Sequence, residues 1–222
     1  MHALVVADGA GPDRDSLNRA WPGWARGIGL VVAADGGARH VAGLGLRLDR
    51  WVGDGDSLGP AGVAELEASG IPMQLVPQDK DESDTELAIQ AALEAGASEL
   101  TIVGALGGAR IDHALANVLL LGHPQLSGRT VRILDPGARV TLVSGPAHAL
   151  LEGRIGDLVT LLPLGAESTG VTTRGLQFEL ANDRLESGRT RGLSNVRTAR
   201  VAGVELEAGR LLIVEVPATL SP

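Results

Sequence analysis

The chain has 222 residues with 27 acidic and 19 basic side chains, for a formal charge of −8, and this length is enough to bury a hydrophobic core. The acidic balance argues against a general binder of nucleic acid or anionic membranes, and an aromatic content of 2% argues against a base-stacking surface. The lack of cysteine excludes disulfides and Cys-type zinc sites.

The N-terminal segment does not have the pattern of a targeting signal. Met1–Ala7 is a short apolar run without a basic flank, and Asp8 follows it at once. A secretory signal needs a charged start and a longer apolar stretch, and no run approaches the ~20 apolar residues that span a bilayer. We therefore expect a soluble, cytoplasmic protein that acts on neither a membrane nor nucleic acid.

Short apolar runs alternate with helix-like segments over the first two-thirds of the chain. The runs, predicted to be buried strands, are Ala3–Ala7, Leu30–Ala34, Arg50–Gly53, Met73–Val76, Leu100–Val103 and Val131–Leu134. Three segments between them carry apolar residues at helical spacing: Ala61–Ser69, Asp84–Ala95 and Asp112–Leu121. This alternation predicts βαβ units, and hence a Rossmann-like, mostly parallel sheet with flanking helices.

The pattern changes after Asp135-Pro136-Gly137. From there the chain has frequent glycine and no convincing helix. Its extended runs, separated by turns, are Arg139–Val143, Leu158–Leu162, Leu176–Leu180 and Leu211–Val216. Many short strands with turn signals are typical of a sandwich or barrel. We therefore predict an α/β domain over residues 1–136 and an all-β sandwich or barrel over residues 137–222.

Glycine and aspartate follow four successive predicted strands. The segments are Ala34-Asp35-Gly36-Gly37, Gly53-Asp54-Gly55-Asp56-Ser57, Pro77–Asp84 and Gly104–His113. Ligands of doubly wound sheets bind beyond the carboxyl ends of the strands. The pattern therefore indicates a binding site built from these four segments.

Asp54 and Asp56 are the first candidate metal ligands. Two residues apart in extended backbone, their carboxylates point to the same side. Mg²⁺ prefers one or two carboxylates together with water and substrate phosphates. The alternative is an ordinary acidic turn, because Asp-Gly is also turn chemistry.

The segment around Lys80, the one lysine of the chain, combines a helix start with a cation among acids. Ser83 with Glu86 fits a capping box, which predicts a helix beginning here with Asp84 in its first turn. Lys80 lies between Asp79 and Asp81. It could form a plain ion pair with the carboxylates, or it could contact a phosphate or a polar substrate atom.

The Gly104–His113 segment follows a strand and opens a helix. Backbone N–H groups of such a segment can form an anion cradle, and Arg110 can grip a phosphate. Neither the P-loop nor the dinucleotide fingerprint occurs. The alternative is a tight turn before a capped helix, with His113 either a structural residue or part of the site.

In this order and spacing, the segments resemble the thiamine pyrophosphokinase family. The resemblance rests on Ala34–Ala38, Gly53–Ser57, Lys80–Ala88, Gly104–His113, Asn117, Gly170–Leu176 and Gly192–Asn195. It implies an α/β nucleotide- and Mg²⁺-binding catalytic domain over 1–136 and a β-sandwich thiamine-binding domain over 137–222. It also implies a homodimer that shares the thiamine site between subunits. The implied reaction moves a diphosphate group from ATP to the hydroxyethyl group of thiamine and releases AMP.

The resemblance assigns roles residue by residue. Asp54, Asp56 and Asp84 would hold Mg²⁺ and act in catalysis, and Asp81 or Asp84 would align the attacking hydroxyl group. The implied nucleotide-binding residues are Asp35, Gly36, Gly107, Arg110, Asp112 and His113. The implied thiamine-binding residues are Lys80, Asp84, Ser194 and Asn195, with Ser194 and Asn195 reaching the thiamine from the partner subunit.

Two features depart from the family pattern. Gly55 stands where members commonly have a bulky residue. Some relatives stack a tryptophan of the second domain on thiamine, but here Trp21, Trp24 and Trp51 all precede residue 136. Two other functions are compatible with parts of the pattern. One is a metal-dependent sugar-nucleotide transferase that uses Asp54-Gly55-Asp56, and the other is a non-catalytic nucleotide-binding module.

Overall fold

A computed structural model of the chain describes residues 1–218. The chain divides into two compact units, one over Met1–Pro136 and the other from Gly137 onward. Residues 219–222, the end of the predicted all-β domain, lie outside the described residues. The predicted fold class is confirmed, because a parallel sheet with helices forms the first unit and antiparallel strands form the second.

The first unit is built on a sheet of parallel strands in the order β4-β3-β2-β1-β5-β6. The strands are β1 (His2–Val6), β2 (Ile28–Ala34), β3 (Arg50–Gly53), β4 (Met73–Leu75), β5 (Glu99–Val103) and β6 (Thr130–Asp135). The helices are α1 (Arg14–Ala20), α2 (Ala38–Val41), α3 (Gly59–Ser69), α4 (Asp84–Glu94) and α5 (Ile111–Leu120). Short 3₁₀ turns cover Asp35–Gly37, Ala42–Leu44 and Pro124–Leu126.

The core of this unit lies against the central strands. All five residues of β1 are buried, as expected for a strand covered on both faces. The core includes Leu4, Leu17 and the fully buried Trp51, and Trp21 and Trp24 pack into the same cluster. Among residues 1–218, no helix has both the length and the hydropathy needed to cross a bilayer.

The strand order reverses at β1, which lies between β2 and β5. A crevice opens at the carboxyl ends of the strands at such a reversal, and ligands bind there. The loops after β1 and β5 approach closely, and the Gly9 N–H donates to the Gly104 carbonyl at 2.8 Å. A Cβ atom at Gly9 or Gly104 would collide with the backbone of the facing loop, so glycine is required for this approach.

The second unit is an antiparallel arrangement in the order β7-β13-β9-β12-β8, with β10 and β11 also paired to β9. The strands are β7 (Ala138–Ser144), β8 (Ala147–Glu152), β9 (Leu158–Arg174), β10 (Asp183–Glu186), β11 (Asn195–Val196), β12 (Val201–Leu206) and β13 (Ala208–Val216). Its own core includes Val159, Leu161, Val171 and Ile213.

Every predicted element of the first unit agrees with the structure to within two residues at each end, and the largest differences are at the starts of β2 and α3. The sequence did not predict α1 and α2. In the second unit, the predicted strand Leu176–Leu180 is wrong. Leu176 forms one isolated bridge to Arg197, and the chain then turns back. Thr173 N–H donates to the Leu180 carbonyl at 3.0 Å, while Leu180 N–H donates to Thr173 Oγ1 at 2.8 Å. These bonds fold the segment into a loop.

Candidate active site

A cleft of about 770 Å³ opens at the carboxyl ends of the parallel strands. Its walls come from the loops after β1, β2, β3 and β5, from the segment before α4, and from the first turns of α4 and α5. The lining residues that matter below are Asp8, Asp35, Asp56, Lys80, Asp84 and Arg110. The structure therefore brings together side chains from all four segments that the sequence singled out.

Asp35 fixes the loop that follows β3. Its side chain is buried, and its two carboxylate oxygens accept hydrogen bonds from the Gly55 and Ser57 N–H groups, both at 3.1 Å. Its carbonyl accepts a hydrogen bond from Trp51 Nε1 at 2.9 Å. Asp35 has a left-handed backbone with φ 41°, which aspartate tolerates better than most residues. Asp35 thus positions the neighbouring Asp54.

Asp35, Asp54 and Asp84 form a group of carboxylates. One oxygen of each lies within 4.8 Å of the others, a separation that one bound cation can span. Asp84 Oδ1 is buried and, apart from the Lys80 ammonium, meets no donor among residues 1–218. Oxygen ligands in this arrangement suit a hard divalent cation such as Mg²⁺.

Lys80 is ion-paired inside this group. Its Nζ lies 2.9 Å from Asp84 Oδ1 and 3.3 Å from Asp54 Oδ2, and its side chain is 13% exposed. Burial opposes the charged form of Lys80, but the two carboxylates outweigh it and raise the pKa of Lys80 above its ordinary value. The pKa of Asp54 is lowered, most of all by the Asp56 N–H, which donates to Asp54 Oδ1 at 3.0 Å. Lys80 lowers it further.

The start of α4 has the Ser83 half of the predicted capping box. Ser83 Oγ accepts a hydrogen bond from the Glu86 N–H at 3.2 Å, and Asp84 is the first residue of the helix. The Glu86 carboxylate lies 3.5 Å from His123 Nε2. The cap holds Asp84 at the edge of the cleft, facing Asp54.

Two predicted catalytic carboxylates, Asp56 and Asp81, are not members of this three-carboxylate group. Asp56 is exposed and accepts a hydrogen bond from Ser57 Oγ at 3.1 Å, although it lines the cleft. Asp81 is exposed and lies outside the lining of the cleft. The structure thus groups Asp35, rather than Asp56, with Asp54 and Asp84.

Gly55 has a conformation that explains its presence between two aspartates. Its φ is +82°, and a Cβ atom there would lie 2.7 Å from Val63 Cγ2. A side chain would be strained by the backbone and by α3 together. The Val63 side chain therefore occupies the space that a side chain at position 55 would need.

The loop before α5 is rich in glycine with positive φ, at Gly104, Gly107 and Gly108. The buried Asn117 of α5 ties this loop down by donating from Nδ2 to the Ala105 carbonyl at 3.0 Å. Gly107 and Gly108 line the cleft with their backbone.

Arg110 is held by its neighbour Asp112. The guanidinium donates from Nε to Asp112 Oδ1 at 2.9 Å and from Nη2 to Oδ2 at 2.6 Å, and this pairing lowers the pKa of Asp112. Both side chains are more than half exposed, so water screens the pair. His113 is also exposed and lines the cleft.

The sequence interpretation missed the loop after β1. Asp8 lines the cleft and accepts a hydrogen bond from Arg39 Nη2 at 3.0 Å, while Arg39 Nη1 donates to the Ser57 carbonyl at 2.7 Å. Gly36 leaves room for the Asp8 carboxylate, because a Cβ there would collide with it. Asp8-Gly9 follows its strand as Asp35-Gly36 follows the next one. This repeated pattern could have predicted from the sequence that the loop after β1 also lines the cleft.

Ser194 and Asn195 belong to the second unit. Ser194 is exposed with φ 57°, and its N–H donates to Thr160 Oγ1 at 2.9 Å. The Asn195 side chain bonds both backbone groups of Phe178, at 3.0 Å to its N–H and 2.7 Å to its carbonyl. Asn195 therefore supports the loop that presents Phe178, whose side chain is 65% exposed.

Two family models match the chain, one in each unit. The model for the thiamin pyrophosphokinase catalytic domain matches residues 25–133. The model for the thiamin pyrophosphokinase vitamin B1 binding domain matches residues 148–211. Together they cover most of the chain, in the order of the two structural units.

Individual relatives agree with these matches. Thiamine pyrophosphokinase from Bacillus subtilis is 24% identical over 166 residues, which are 75% of this chain and 77% of the relative. The crystal structure of the Bacillus subtilis enzyme has a TM-score of 0.84 at 21% identity, covering 98% of this chain and 99% of the other. That of a thiamin pyrophosphokinase family protein from Enterococcus faecalis has a TM-score of 0.82 at 26% identity, covering 97% and 99%.

Proposed function

The chain belongs to the thiamine pyrophosphokinase family, and we propose on that basis that it transfers a diphosphate group from ATP to thiamine. In this reaction the hydroxyethyl oxygen of thiamine attacks the β-phosphorus of ATP. The bond from that phosphorus to the oxygen bridging the α- and β-phosphates breaks, and the hydroxyl group loses its proton. The products are thiamine diphosphate and AMP.

The observation that carries the proposal is the group of three carboxylates at the cleft of the first unit, two of which, Asp35 and Asp84, line that cleft. The catalytic-domain family model matches this unit. Asp35, Asp54 and Asp84 place oxygens within 4.8 Å of one another, beside a glycine-rich loop. Phosphoryl transfer requires positioning and charge neutralisation more than covalent help from the protein. Carboxylates for a metal, backbone donors for phosphate and a nearby cation provide these functions.

The donor chemistry of this group fits Mg²⁺, which we propose as the metal. Asp54 and Asp84 would be its ligands, and Asp56 remains the predicted third ligand. The buried Asp84 Oδ1 has only the Lys80 ammonium beside it among residues 1–218. Held by these carboxylates, Mg²⁺ would supply positive charge that offsets the charge of the triphosphate.

The other residues of the cleft have positioning roles in this proposal. The backbone of Gly107 and Gly108 would approach the phosphates of ATP, which glycine permits because it has no side chain. The exposed Arg110 guanidinium would release the Asp112 carboxylate and bind a phosphate group of ATP instead. Asp35 would hold Asp54 in place and, as the resemblance implies, would also line the nucleotide site. Asp84 or Asp81 would align the attacking hydroxyl group.

The family resemblance adds the remaining parts of the proposal. We propose a cytoplasmic homodimer in which Ser194 and Asn195 of one subunit contribute to the thiamine site of the other. Subunit exchange tests the shared site. A Ser194→Ala/Asn195→Ala protein mixed with an Asp54→Ala protein should regain activity through hybrid sites, and a mixture that stays inactive would contradict it.

Product analysis tests the reaction. The protein is incubated with ATP, Mg²⁺ and thiamine, and nucleotides and thiamine esters are separated by chromatography. We expect AMP and thiamine diphosphate, with no AMP when thiamine is omitted. Release of ADP with thiamine monophosphate, or no thiamine-dependent turnover, would overturn the proposal. The latter result would leave a sugar-nucleotide transferase or a non-catalytic nucleotide-binding module to be tested.

A further inference from the structure

Lys80 occupies the space between the carboxylates that suit a metal. Its ammonium is 2.9 Å from Asp84 Oδ1 and 3.3 Å from Asp54 Oδ2, two members of the three-carboxylate group. A metal ion that used both carboxylates would need the same space. Lys80 and such an ion therefore compete for one position.

The charges favour exchange of Lys80 for a divalent cation. Three carboxylates against one ammonium leave negative charge uncompensated in a partly buried place. A divalent cation neutralises more of that charge than an ammonium does. The buried Asp84 Oδ1 has only the Lys80 ammonium beside it among residues 1–218, so a metal ion could replace that one contact.

The position of Lys80 allows its side chain to leave. It lies in the loop before α4, outside any helix or strand, and the preceding residues Gln78 and Asp79 are exposed. Lys80 itself lines the open cleft. A flexible four-carbon stem can carry the ammonium away from Asp54 and Asp84 without a change of backbone.

We propose that Lys80 is a resident counter-cation, which holds Asp54 and Asp84 together without metal and withdraws from them when Mg²⁺ binds. This inference rests on the proposed function, because it assumes that the cleft takes Mg²⁺. It assigns Lys80 a positioning role that a fixed structural ion pair does not have. After the exchange, the ammonium is free in the cleft where the substrates bind.

Metal titration without nucleotide tests the exchange. Mg²⁺ is titrated calorimetrically into the wild-type protein and into Lys80→Met, with Lys80→Gln as a second variant should the first fold poorly. If Lys80 leaves the site free about one tenth of the time, removing it should tighten the apparent Kd for Mg²⁺ about tenfold. An unchanged or weaker affinity for Mg²⁺ in both variants, or no binding by any of these proteins, overturns the proposal.

Arg39→Met is the matched control. Arg39 is also a cation paired with an acid of the cleft, at 3.0 Å from Asp8 Oδ1, but it does not touch the carboxylate group. Its loss changes the net charge as the Lys80 variants do. We expect no more than a few-fold change in the Kd for Mg²⁺. A change as large as that of Lys80→Met would assign the effect to general charge and overturn the exchange.

The wild-type protein gives a second readout. Because Lys80 is the one lysine of the chain, its modification by an amine-acylating reagent can be followed on a single peptide by mass spectrometry. We expect faster modification in MgCl₂ than in NaCl of equal ionic strength, and an unchanged or slower rate contradicts withdrawal. Neither readout uses ATP or thiamine. Failure of diphosphate transfer and failure of the exchange are therefore distinguished.

Discussion

Replacing Asp35 should make the first unit easier to unfold, because this residue fixes the loop after β3. Asp35→Ala removes both acceptors of the Gly55 and Ser57 N–H groups. Ser57 is exposed, so water can take over its N–H, but Gly55 is buried. A buried donor left without a partner costs about 1–3 kcal/mol.

The backbone adds a second penalty. Asp35 has φ 41°, and a left-handed conformation costs an alanine about 1–2 kcal/mol. Together the two effects lower the free energy of unfolding by about 2–5 kcal/mol. Asp35→Asn tolerates the same backbone and keeps one acceptor oxygen, so its loss should be smaller, about 1–2 kcal/mol.

Urea unfolding followed by tryptophan fluorescence measures this effect. All three tryptophans lie in the first unit, so the signal reports that unit. Asp56→Ala is the matched control, because Asp56 is exposed and its loss should change stability by no more than about 0.5 kcal/mol. Equal losses for Asp35→Ala and Asp56→Ala would refute the role given to Asp35.

Three further predictions concern the loop after β3 and the start of β1. Asp54→Ala should lower kcat at least about 100-fold, since even residues that only support metal ligands contribute about 10–100-fold. Its unfolding, followed by fluorescence, should stay cooperative. A kcat near that of the wild type would contradict the metal role of Asp54. Gly55→Ala should lower the free energy of unfolding in urea more than Gly59→Ala does. Both glycines have positive φ, but an added Cβ would meet Val63 at Gly55 and nothing within 4 Å at Gly59. Equal losses of stability would show that the contact with Val63 has no effect. Burial lowers the pKa of His2 below its ordinary value of 6.5. As the pH falls through 6.5, the unfolded chain therefore takes up the proton before the folded chain does, and the free energy of unfolding should decrease. His2→Gln should flatten this pH dependence of stability, and an unchanged slope would show that His2 is not its source.

The sequence predicts the parallel sheet well because its strands are continuous apolar runs. The run from Leu100 to Val103, for example, is fully buried and cannot be mistaken for an exposed loop. The helix of Asp84–Glu94 is also predictable, since Ser83 caps it through a local contact. Local signals of this kind need no knowledge of the rest of the fold.

Long-range contacts decide what the sequence does not predict. Leu176–Leu180 has a strand-like composition, but bonds to Thr173 make it a loop. Asp35, which lines the cleft, is also bonded to two amides twenty or more positions away, and the sequence did not predict these contacts. Arg39 joins the loops after β1 and β3 through Asp8 and Ser57. Such partners are set by the strand order, which a single sequence does not display.

The most direct test of the proposed reaction is to follow the phosphates of ATP in a single reaction mixture by ³¹P NMR, with thiamine and Mg²⁺ present. Transfer of an intact diphosphate group predicts that thiamine diphosphate and AMP rise together in equal amounts, with no signal of ADP or thiamine monophosphate. The same mixture with Asp54→Ala should leave ATP unconsumed. Accumulation of ADP in step with a thiamine monophosphate would contradict the account.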